Sequence, residues 1–432
     1  MVLRVQESKR FAYLCSNLNI YASEQLVLPA PEETYCVKVT AEAGLTKGWA
    51  PIISLGLMTC TCYGAAFYAY GILLDPIHND LGWSLTFLGT VFAGAQLVSG
   101  FGASFAGRLL DRSGGRLVFT IQAMASLCLL AGSWTSNAGA FAILMTAGLG
   151  VMATTGFYHV STAIAGRVGP ADRGKRITVL TVIGAFCSPI YLPIGALIIN
   201  SWGWRPALRI FALLAFLGAL QASHFAGGGR STDTQGPSPS AFKALLRSIH
   251  RPPVRRMLFA YAFAGFSYST LLVYQVPIMI DQGLALGTAA GIAGFRGFSQ
   301  LFGRLAAIPV VARHEAPFAL KISYLLAAVG SLFILGGNVW LGLIYGVLVG
   351  SSLGASTPLQ ALYAQDTFEP EDLGLLMGLQ HSVFAIAGAA GPVVAGLAAD
   401  TAGSQSPTVW ISVSSLLAAA FLLRRKEVQA PK

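Results

Sequence analysis

Three polar side chains stand at helical spacing within one apolar run near residue 300. Arg296, Gln300 and Arg304 follow one another at intervals of four residues. On an α-helix this spacing puts all three side chains on one face, along a rise of about 12 Å. An arginine guanidinium matches a carboxylate with two parallel hydrogen bonds. The spacing predicts an anion-binding stripe, unless these arginines instead bond to backbone carbonyls or extend toward the helix end.

Other polar residues lie within separate apolar runs. His381 could donate a hydrogen bond to an anion or carry a proton, or it could be a neutral histidine satisfied by a neighbouring helix. Tyr68, Tyr274 and Gln275 are candidates to line the same cavity, although such residues also make ordinary helix contacts. Every Asp and Glu falls at the end of an apolar run, in a loop or in a tail. An interior with cationic groups and no carboxylate favours an anionic solute.

The composition indicates a membrane protein. Of the 432 residues, 54% are hydrophobic and 11% are charged, whereas a soluble domain carries about 25% charged residues. The net charge of +10 comes from short basic clusters between apolar runs, so nucleic acid is not predicted as a partner. The sequence contains no nucleophile–base pair, metal-ligand spacing or phosphate-binding loop, and it therefore predicts neither an enzyme nor a cofactor or metal site.

Twelve apolar runs are long enough to cross a bilayer as helices, which takes about 20 residues each. The predicted spans are 49–73, 84–106, 117–135, 138–165, 177–200, 206–226, 256–280, 287–311, 317–336, 339–363, 373–398 and 406–423. The predicted fold class is an all-α membrane protein with twelve transmembrane helices in two six-helix halves. The predicted boundaries are a tail (1–48), an N-terminal half (49–226), a linker (227–255), a C-terminal half (256–423) and a second tail (424–432).

Basic residues are concentrated on one side of this arrangement. They lie in the links after spans 2 and 4, in the linker and in the C-terminal tail, whereas the opposite links hold little beyond Arg205 and Arg209. The positive-inside rule then predicts that both tails and the linker are cytoplasmic. The localisation predicted is a multi-pass protein of a plasma or inner membrane, with the lipid bilayer as its surroundings.

The two halves resemble each other. Pro189 in span 5 and Pro392 in span 11 are 203 positions apart, and Asp111-Arg112 after span 2 corresponds to Ala312-Arg313 after span 8, 201 positions on. Parallel repeats of six helices are typical of carriers that hold their substrate between the halves near the middle of the membrane.

The stretch from Gly107 to Arg116, GRLLDRSGGR, predicts a turn at which the chain leaves the bilayer and re-enters it. Asp111 could accept hydrogen bonds from a helix N-terminus or from an arginine such as Arg167, while Arg112 and Arg116 could anchor the turn on the cytoplasmic side. The stretch resembles the signature loop between helices two and three of the major facilitator superfamily. That resemblance implies a gating latch that holds the halves together on the cytoplasmic side.

Several short segments are similar to the monocarboxylate-transporter and oxalate/formate-exchanger branch of that superfamily. They are Gly48-Trp-Ala50, Gly71-Ile-Leu-Leu-Asp-Pro-Ile77, Arg173-Gly-Lys-Arg176, Gly203-Trp-Arg205, Asp281-Gln-Gly283, Gly303-Arg304 and Asp400-Thr-Ala-Gly403. The resemblance implies that Arg304 binds a substrate carboxylate and that His381 stands at the position of a basic residue of the exchangers. Where animal monocarboxylate carriers have a span-one lysine and a span-eight acid, this chain has Tyr68 and Gln300, which argues against a proton mechanism of the lactate type.

These features predict a secondary active transporter of a small organic anion, most simply a monocarboxylate, that works by alternating access. The anion would be carried with a proton (symport) or exchanged for another anion (antiport). One alternative is an exporter of neutral or amphiphilic compounds with the same fold, which would want an acidic group within a span. Another is a membrane sensor that binds its ligand without moving it.

Overall fold

The computed structural model describes residues 48–167, 173–228, 250–311, 315–367 and 373–423. Each of the twelve predicted spans is helical there. Spans 1 to 6 are formed by Ala50–Tyr63 with Gly64–Tyr68 and Ala69–Leu81, Leu85–Ser113, Gly115–Gly132, Ala138–Gly156 with Tyr158–Arg167, Arg173–Ala185 with Cys187–Trp202, and Trp204–Phe225. Spans 7 to 12 are formed by Pro252–Asp281, Leu286–Val311, Ala316–Leu332 with Phe333–Gly336, Val339–Thr367, Leu373–Ala402 and Ser406–Leu422.

The helices have the length and apolar character that a bilayer requires. Among the described residues, ten helical segments are long and apolar enough to cross a membrane, and Ser406–Leu422 is a shorter apolar helix. Span 8, which carries Arg296, Gln300 and Arg304, is not among those ten. An all-α membrane protein was the predicted fold class, and the structure confirms it.

The predicted turn over residues 107–116 is wrong in its extent. Span 2 remains helical through Ser113, and Gly114 alone separates it from span 3. Gly114 has φ 77°, a left-handed conformation that residues with a Cβ rarely adopt. The polar residues before it do not break a helix, so the helix ends only where this glycine permits the reversal.

Two other helix boundaries also differ from the prediction, because particular residues determine where a helix begins or ends. Span 1 continues to Leu81 rather than ending at 73, and it stops at Gly82, which has φ 67°. Span 7 begins at Pro252 rather than at 256, because two prolines suit the first turn of a helix. The length of an apolar run predicts where the chain crosses the bilayer, but the helix itself continues until a residue stops it.

An aspartate closes each half in a similar way. Asp80, at the end of span 1, accepts a hydrogen bond from the indole Nε1 of Trp204 at the start of span 6, over 2.9 Å. Asp281, at the end of span 7, accepts one from the backbone N–H of Gln405 just before span 12, over 3.0 Å. Residues 80 and 281 are 201 positions apart, the same spacing that relates the repeats in the sequence. The shared contact supports the internal repeat.

The two halves pack together at the end of the bundle that carries the links 82–84, 282–285 and 403–405, here called the closed end. Asp400 of span 11 accepts hydrogen bonds from the N–H of Leu85 at 3.1 Å and from the N–H of Thr86 at 2.8 Å. It also accepts one from the Thr86 hydroxyl at 2.5 Å. A carboxylate is favourable at a helix N-terminus, so Asp400 joins the start of span 2 to the end of span 11.

Glycines bring the backbones of the two halves close together on the same side. A Cβ on Gly89 would lie 2.4 Å from the Pro392 carbonyl oxygen, and one on Gly71 would lie 2.7 Å from the Val273 carbonyl oxygen. Neither position tolerates a larger residue without separating spans that belong to different halves. Small residues at such crossings are a general means of packing helices within a membrane.

We predict that Asp400→Ala weakens the closed end, because the substitution removes all three hydrogen bonds that this side chain accepts across the halves. The measurement is the rate at which a membrane-impermeant maleimide, applied from the closed-end side, labels Cys187 in span 5 when the other cysteines are serine. We expect labelling to be several-fold faster than in the parent. Asp281→Ala is the matched control, because the hydrogen bonds that the Asp281 side chain accepts from described residues come from its own half, from Gln282, Ser404 and Gln405. Equal labelling of the two variants would contradict the role of Asp400.

Candidate functional site

A cavity of about 510 Å³ lies between the two halves. Its volume is within the range of about 300–1,000 Å³ that is usual for small-molecule sites. Both halves contribute to its walls, since spans 1, 2, 4 and 5 face spans 7, 8, 10 and 11. Because both halves line the cavity, the affinity for a bound molecule depends on how the two halves are arranged.

Three spans of the N-terminal half are interrupted where they reach the cavity. Span 1 contains the π-helical turn Gly64–Tyr68, span 4 breaks at Phe157, and span 5 breaks at Phe186. Gly64, at the start of the first interruption, lets span 1 pack directly against span 5, because a Cβ there would lie 2.4 Å from the Tyr191 ring. Interrupted helices in membrane proteins often line a binding site, since the loosened backbone is tolerated where it is surrounded by protein or water.

Arg304 carries a positive charge into this cavity. It is half-buried, it lies on the cavity wall, and no described residue makes a hydrogen bond or ion pair with its guanidinium. Gln300, one helical turn earlier, lines the same wall, and Tyr68 faces it from the opposite half. The structure thus brings together three of the residues that the sequence proposes for substrate binding. Among the described lining residues there is no Asp or Glu.

Arg296, the first member of the predicted stripe, lies behind the cavity wall. Its side chain is 0% exposed, and its Nε donates a hydrogen bond of 2.9 Å to the Gln275 Oε1 atom. The Tyr345 hydroxyl donates to the same Gln275 oxygen over 3.2 Å. The two terminal nitrogens of Arg296 have no hydrogen-bond partner among the described residues, and the guanidinium carbon lies 6.0 Å from the Tyr68 ring centroid. A fully buried cation is thus only partly satisfied, which is energetically unfavourable in a protein interior.

Tyr274 and Gln275 lie away from the cavity. The Tyr274 hydroxyl donates to the carbonyl oxygens of Leu85 at 3.1 Å and Pro392 at 3.2 Å, so it belongs to the closed end. Gln275 is 1% exposed and orients Arg296. Neither side chain is among the described residues that line the cavity.

The other predicted site residues lie at the opposite end of the bundle or outside the described side chains. Gly107 and Arg112 lie in the last turns of span 2, and the N–H of Arg116 donates to the Gly227 carbonyl oxygen over 3.0 Å, which ties span 3 to the end of span 6. The side chains of Asp111, Arg167 and His381 lie outside the described residues, so the proposed latch and the role of His381 stay predictions.

The largest feature that the sequence did not predict is an aromatic surface on the N-terminal half. Tyr63, Phe67, Phe157 and Tyr158, here called the aromatic wall, are all partly exposed and all line the cavity. The Tyr63 and Phe157 rings are stacked with centroids 3.7 Å apart, and the Tyr63 and Tyr158 centroids are 5.1 Å apart. Tyr63 and Phe67 are one helical turn apart, but Phe157 and Tyr158 lie about 90 positions later in another span, so no local pattern could indicate that the four rings meet.

Polar side chains that the sequence did not single out complete the opposite wall and its edges. His159 also lines the cavity, and one of its ring nitrogens lies 2.8 Å from the Thr154 carbonyl oxygen. The further polar lining residues are Gln96, Ser99, Tyr268, Ser269, Thr357, Gln360 and Gln380. A glutamine or serine within an apolar run was the only available signal, and many such residues in this chain bond to backbone instead.

Comparison with known families decides the class of this protein. The family described as Major Facilitator Superfamily matches residues 56–313 and 257–432. The chain belongs to the major facilitator superfamily. It is therefore a secondary transporter rather than an enzyme, and a multi-pass integral membrane protein. No curated protein matches the chain by sequence.

Solved structures of other superfamily transporters share the fold. The nucleoside transporter NupG has a TM-score of 0.76 at 11% identity, over 86% of this chain and 97% of that one. A D-xylose–proton symporter has a TM-score of 0.67 at 16% identity, over 88% and 98% of the two chains. A bacterial homologue of the human lysosomal transporter Spinster, in an inward-facing and unoccupied conformation, has a TM-score of 0.66 at 15% identity, over 88% and 95%. At these identities the likeness concerns the fold alone.

We predict that Arg296→Met has opposite effects on stability and on transport in this superfamily member. The substitution removes an incompletely paired buried charge, while Gln275 keeps its bonds to Tyr345 and to the Leu272 carbonyl oxygen. Replacing a buried charge by an apolar side chain of similar volume is often neutral or stabilising. The midpoint of thermal unfolding in detergent should stay the same or rise, while substrate uptake should fall by about tenfold or more. A lower midpoint with unchanged uptake per folded molecule would make Arg296 a structural residue.

Proposed function

We propose that this transporter carries a small organic anion, with monocarboxylates as the first class to test. The observation that carries the proposal is the Arg304 guanidinium on the wall of the central cavity, where described residues supply neither an ion pair nor an acidic neighbour. An unpaired cation in a low-dielectric interior is stabilised by a ligand of opposite charge. A carboxylate suits it because two parallel hydrogen bonds can form with one guanidinium.

Arg296 assists from behind the wall. Its charge is buried beside Tyr68, which itself lines the cavity, and Tyr68 lies near the side chains of both Arg296 and Gln300. A buried charge acts over several ångströms because little solvent screens it. In this proposal Arg304 contacts the carboxylate, Gln300 and Tyr68 donate hydrogen bonds at its edge, and Arg296 makes the potential of the site more positive.

Alternating access is supported by the arrangement of the halves. They are joined at the closed end by Asp400, Tyr274 and closely packed glycines, and the cavity lies beyond these contacts. The basic residues predict that the opposite end is cytoplasmic, because positively charged links are retained on that side. On that orientation this arrangement is inward-facing, and the closed end separates when the carrier turns outward.

The coupling that we propose is exchange of one anion for another. To turn over empty, the carrier would have to occlude the unpaired charges of Arg296 and Arg304, which is unfavourable away from water. A bound carboxylate neutralises part of this charge and lowers the barrier to the same movement. Co-transport of a proton is the other mode, and it would need a titratable group such as His381 to take part.

The aromatic wall favours a second candidate, an exporter of neutral amphiphilic compounds. Aromatic and apolar side chains make up much of one side of the cavity, and such surfaces bind uncharged rings and chains. Arg304 would then serve only to hydrate the cavity. A sensor that binds without transport is a third outcome, and measurement of uptake separates it from both carriers.

Radiolabelled uptake into proteoliposomes tests the proposal. The panel consists of short and ring-bearing carboxylates together with uncharged amides of similar size, and the vesicles are either preloaded with unlabelled acid or left empty with a pH gradient. Arg304→Ala should lower carboxylate uptake by about 10- to 100-fold, because charge-assisted hydrogen bonds contribute about 1.5–3 kcal/mol each. Arg255→Ala is the matched control, since Arg255 is exposed in the first turn of span 7 and far from the cavity wall.

Each outcome of this experiment has a defined meaning. Uptake that requires preloaded acid supports exchange, and uptake that follows the pH gradient alone supports proton coupling. Equal carboxylate uptake by Arg304→Ala and Arg255→Ala would exclude Arg304 as the anchor. Uptake of the amides without uptake of the acids would favour the amphiphile exporter, and binding without any uptake would favour the sensor.

A further inference from the structure

We propose that the carried anion is an aryl carboxylic acid, with its carboxylate on Arg304 and its flat ring on the aromatic wall of the opposite half. This inference rests on the proposed anion transport and specifies the body of the substrate. It follows from the way in which the cavity divides its chemistry between the two halves.

The aromatic wall offers ring faces and edges to a ligand. Tyr63, Phe67, Phe157 and Tyr158 are only partly covered by protein, although neighbouring aromatic residues such as Phe92 and Tyr70 are fully packed. The Phe67 and Phe157 centroids are 6.4 Å apart and their ring planes meet at 67°. A ligand ring could pack against the face of one and the edge of the other. Offset and edge-to-face pairs between rings are stabilising beyond the apolar area that they bury.

The wall across from these rings is polar and includes the charge. Gln300 and Arg304 come from span 8, Gln360 from span 10, and Gln380 from span 11. The Gln380 Oε1 atom is buried and has no hydrogen-bond partner among the described residues. Tyr158 of span 4 and Arg304 of span 8 line the same cavity, so the aromatic wall and the positive charge belong to different halves.

The size of the cavity also favours a substrate with a ring. A cavity of about 510 Å³ is large for a two- or three-carbon acid, which would leave the aromatic wall in contact with water. A ring attached to the carboxylate would cover that apolar surface and exclude the water, while the carboxylate satisfies Arg304. The aromatic wall and the Arg304 cation line the same cavity, and together they suit a substrate that has an apolar ring at one end and a carboxylate at the other.

Contacts to both halves would also link recognition to movement. The ring is held by spans 1 and 4 and the carboxylate by span 8, so one ligand joins walls that belong to different halves. An acid without a ring would contact Arg304, Gln300 and Tyr68 but would leave the aromatic wall uncovered. A substrate that also contacts the aromatic wall gains more affinity when the halves close around it.

The experiment compares three acids of equal charge, namely acetate, cyclohexanecarboxylate and benzoate, in exchange by proteoliposomes containing the full chain. We expect benzoate to be taken up at least about tenfold more efficiently than acetate, and about threefold or more above cyclohexanecarboxylate, which has a ring without an aromatic face. Phe67→Leu and Phe157→Leu keep apolar side chains but remove a ring, and each should lower the benzoate-to-acetate ratio several-fold. Phe259→Leu, at an exposed position of span 7, is the matched control and should leave the ratio unchanged.

A measurement on the unmodified protein covers the case in which a variant fails to fold. Cys187 lines the cavity with 5% of its surface exposed, so its alkylation in detergent is slow and a bound ligand should slow it further. Benzoate should protect Cys187 at concentrations at least about tenfold lower than acetate does.

The outcomes separate this inference from the proposed function. Exchange that depends on Arg304 but treats acetate and benzoate alike, or protection of Cys187 by both at the same concentration, would overturn the aryl acid and leave anion transport intact. A benzoate-to-acetate ratio that survives both wall variants would also overturn the role of the wall. If no carboxylate is transported or protects Cys187, both proposals are wrong.

Discussion

The proposed transport depends on arginine charge held inside the bundle without a described acidic partner. Arg296 is fully buried with two unpaired terminal nitrogens, and Arg304 meets the central cavity on the same helix. Such charge is unfavourable in an apolar surrounding, and folding alone gives no reason to retain it. The structure around it is consistent with a functional role, because Gln275 and Tyr345 hold Arg296 in place without neutralising it.

The packing of the two halves places the Arg304 charge in a cavity between them. Hydrogen bonds from span 2 to Asp400, together with close glycine contacts, seal one end of the bundle, and the cavity lies beyond that seal. The aromatic side chains that line the cavity on the N-terminal half lie at the interruptions of spans 1 and 4, and Arg304 lines the cavity from the other half. The closed end determines which side of the membrane the site can reach, while the cavity determines which molecules can enter it. Substitutions at the closed end should therefore change the accessibility of the cavity, whereas substitutions in the cavity should change the affinity for ligands.

Sequence alone predicts the helices well, since a run of about 20 apolar residues can satisfy its backbone within a bilayer only as a helix. It misplaces their ends, as at Gly114, because helix continuation depends on local stop signals rather than on hydropathy. The four-residue spacing predicts that Arg296, Gln300 and Arg304 share a face, but not that Arg296 lies behind the wall. That distinction, like the aromatic wall itself, depends on contacts between spans that are far apart in sequence.

We propose that the site selects its ligand by negative charge. The most direct measurement is the equilibrium affinity of the purified protein for benzoate and for benzamide, which differ mainly in charge, read out as protection of Cys187 from alkylation at pH 7. We predict that benzoate binds at least about tenfold more tightly, because its carboxylate forms charge-assisted hydrogen bonds with Arg304. Equal affinity for the acid and the amide would contradict it.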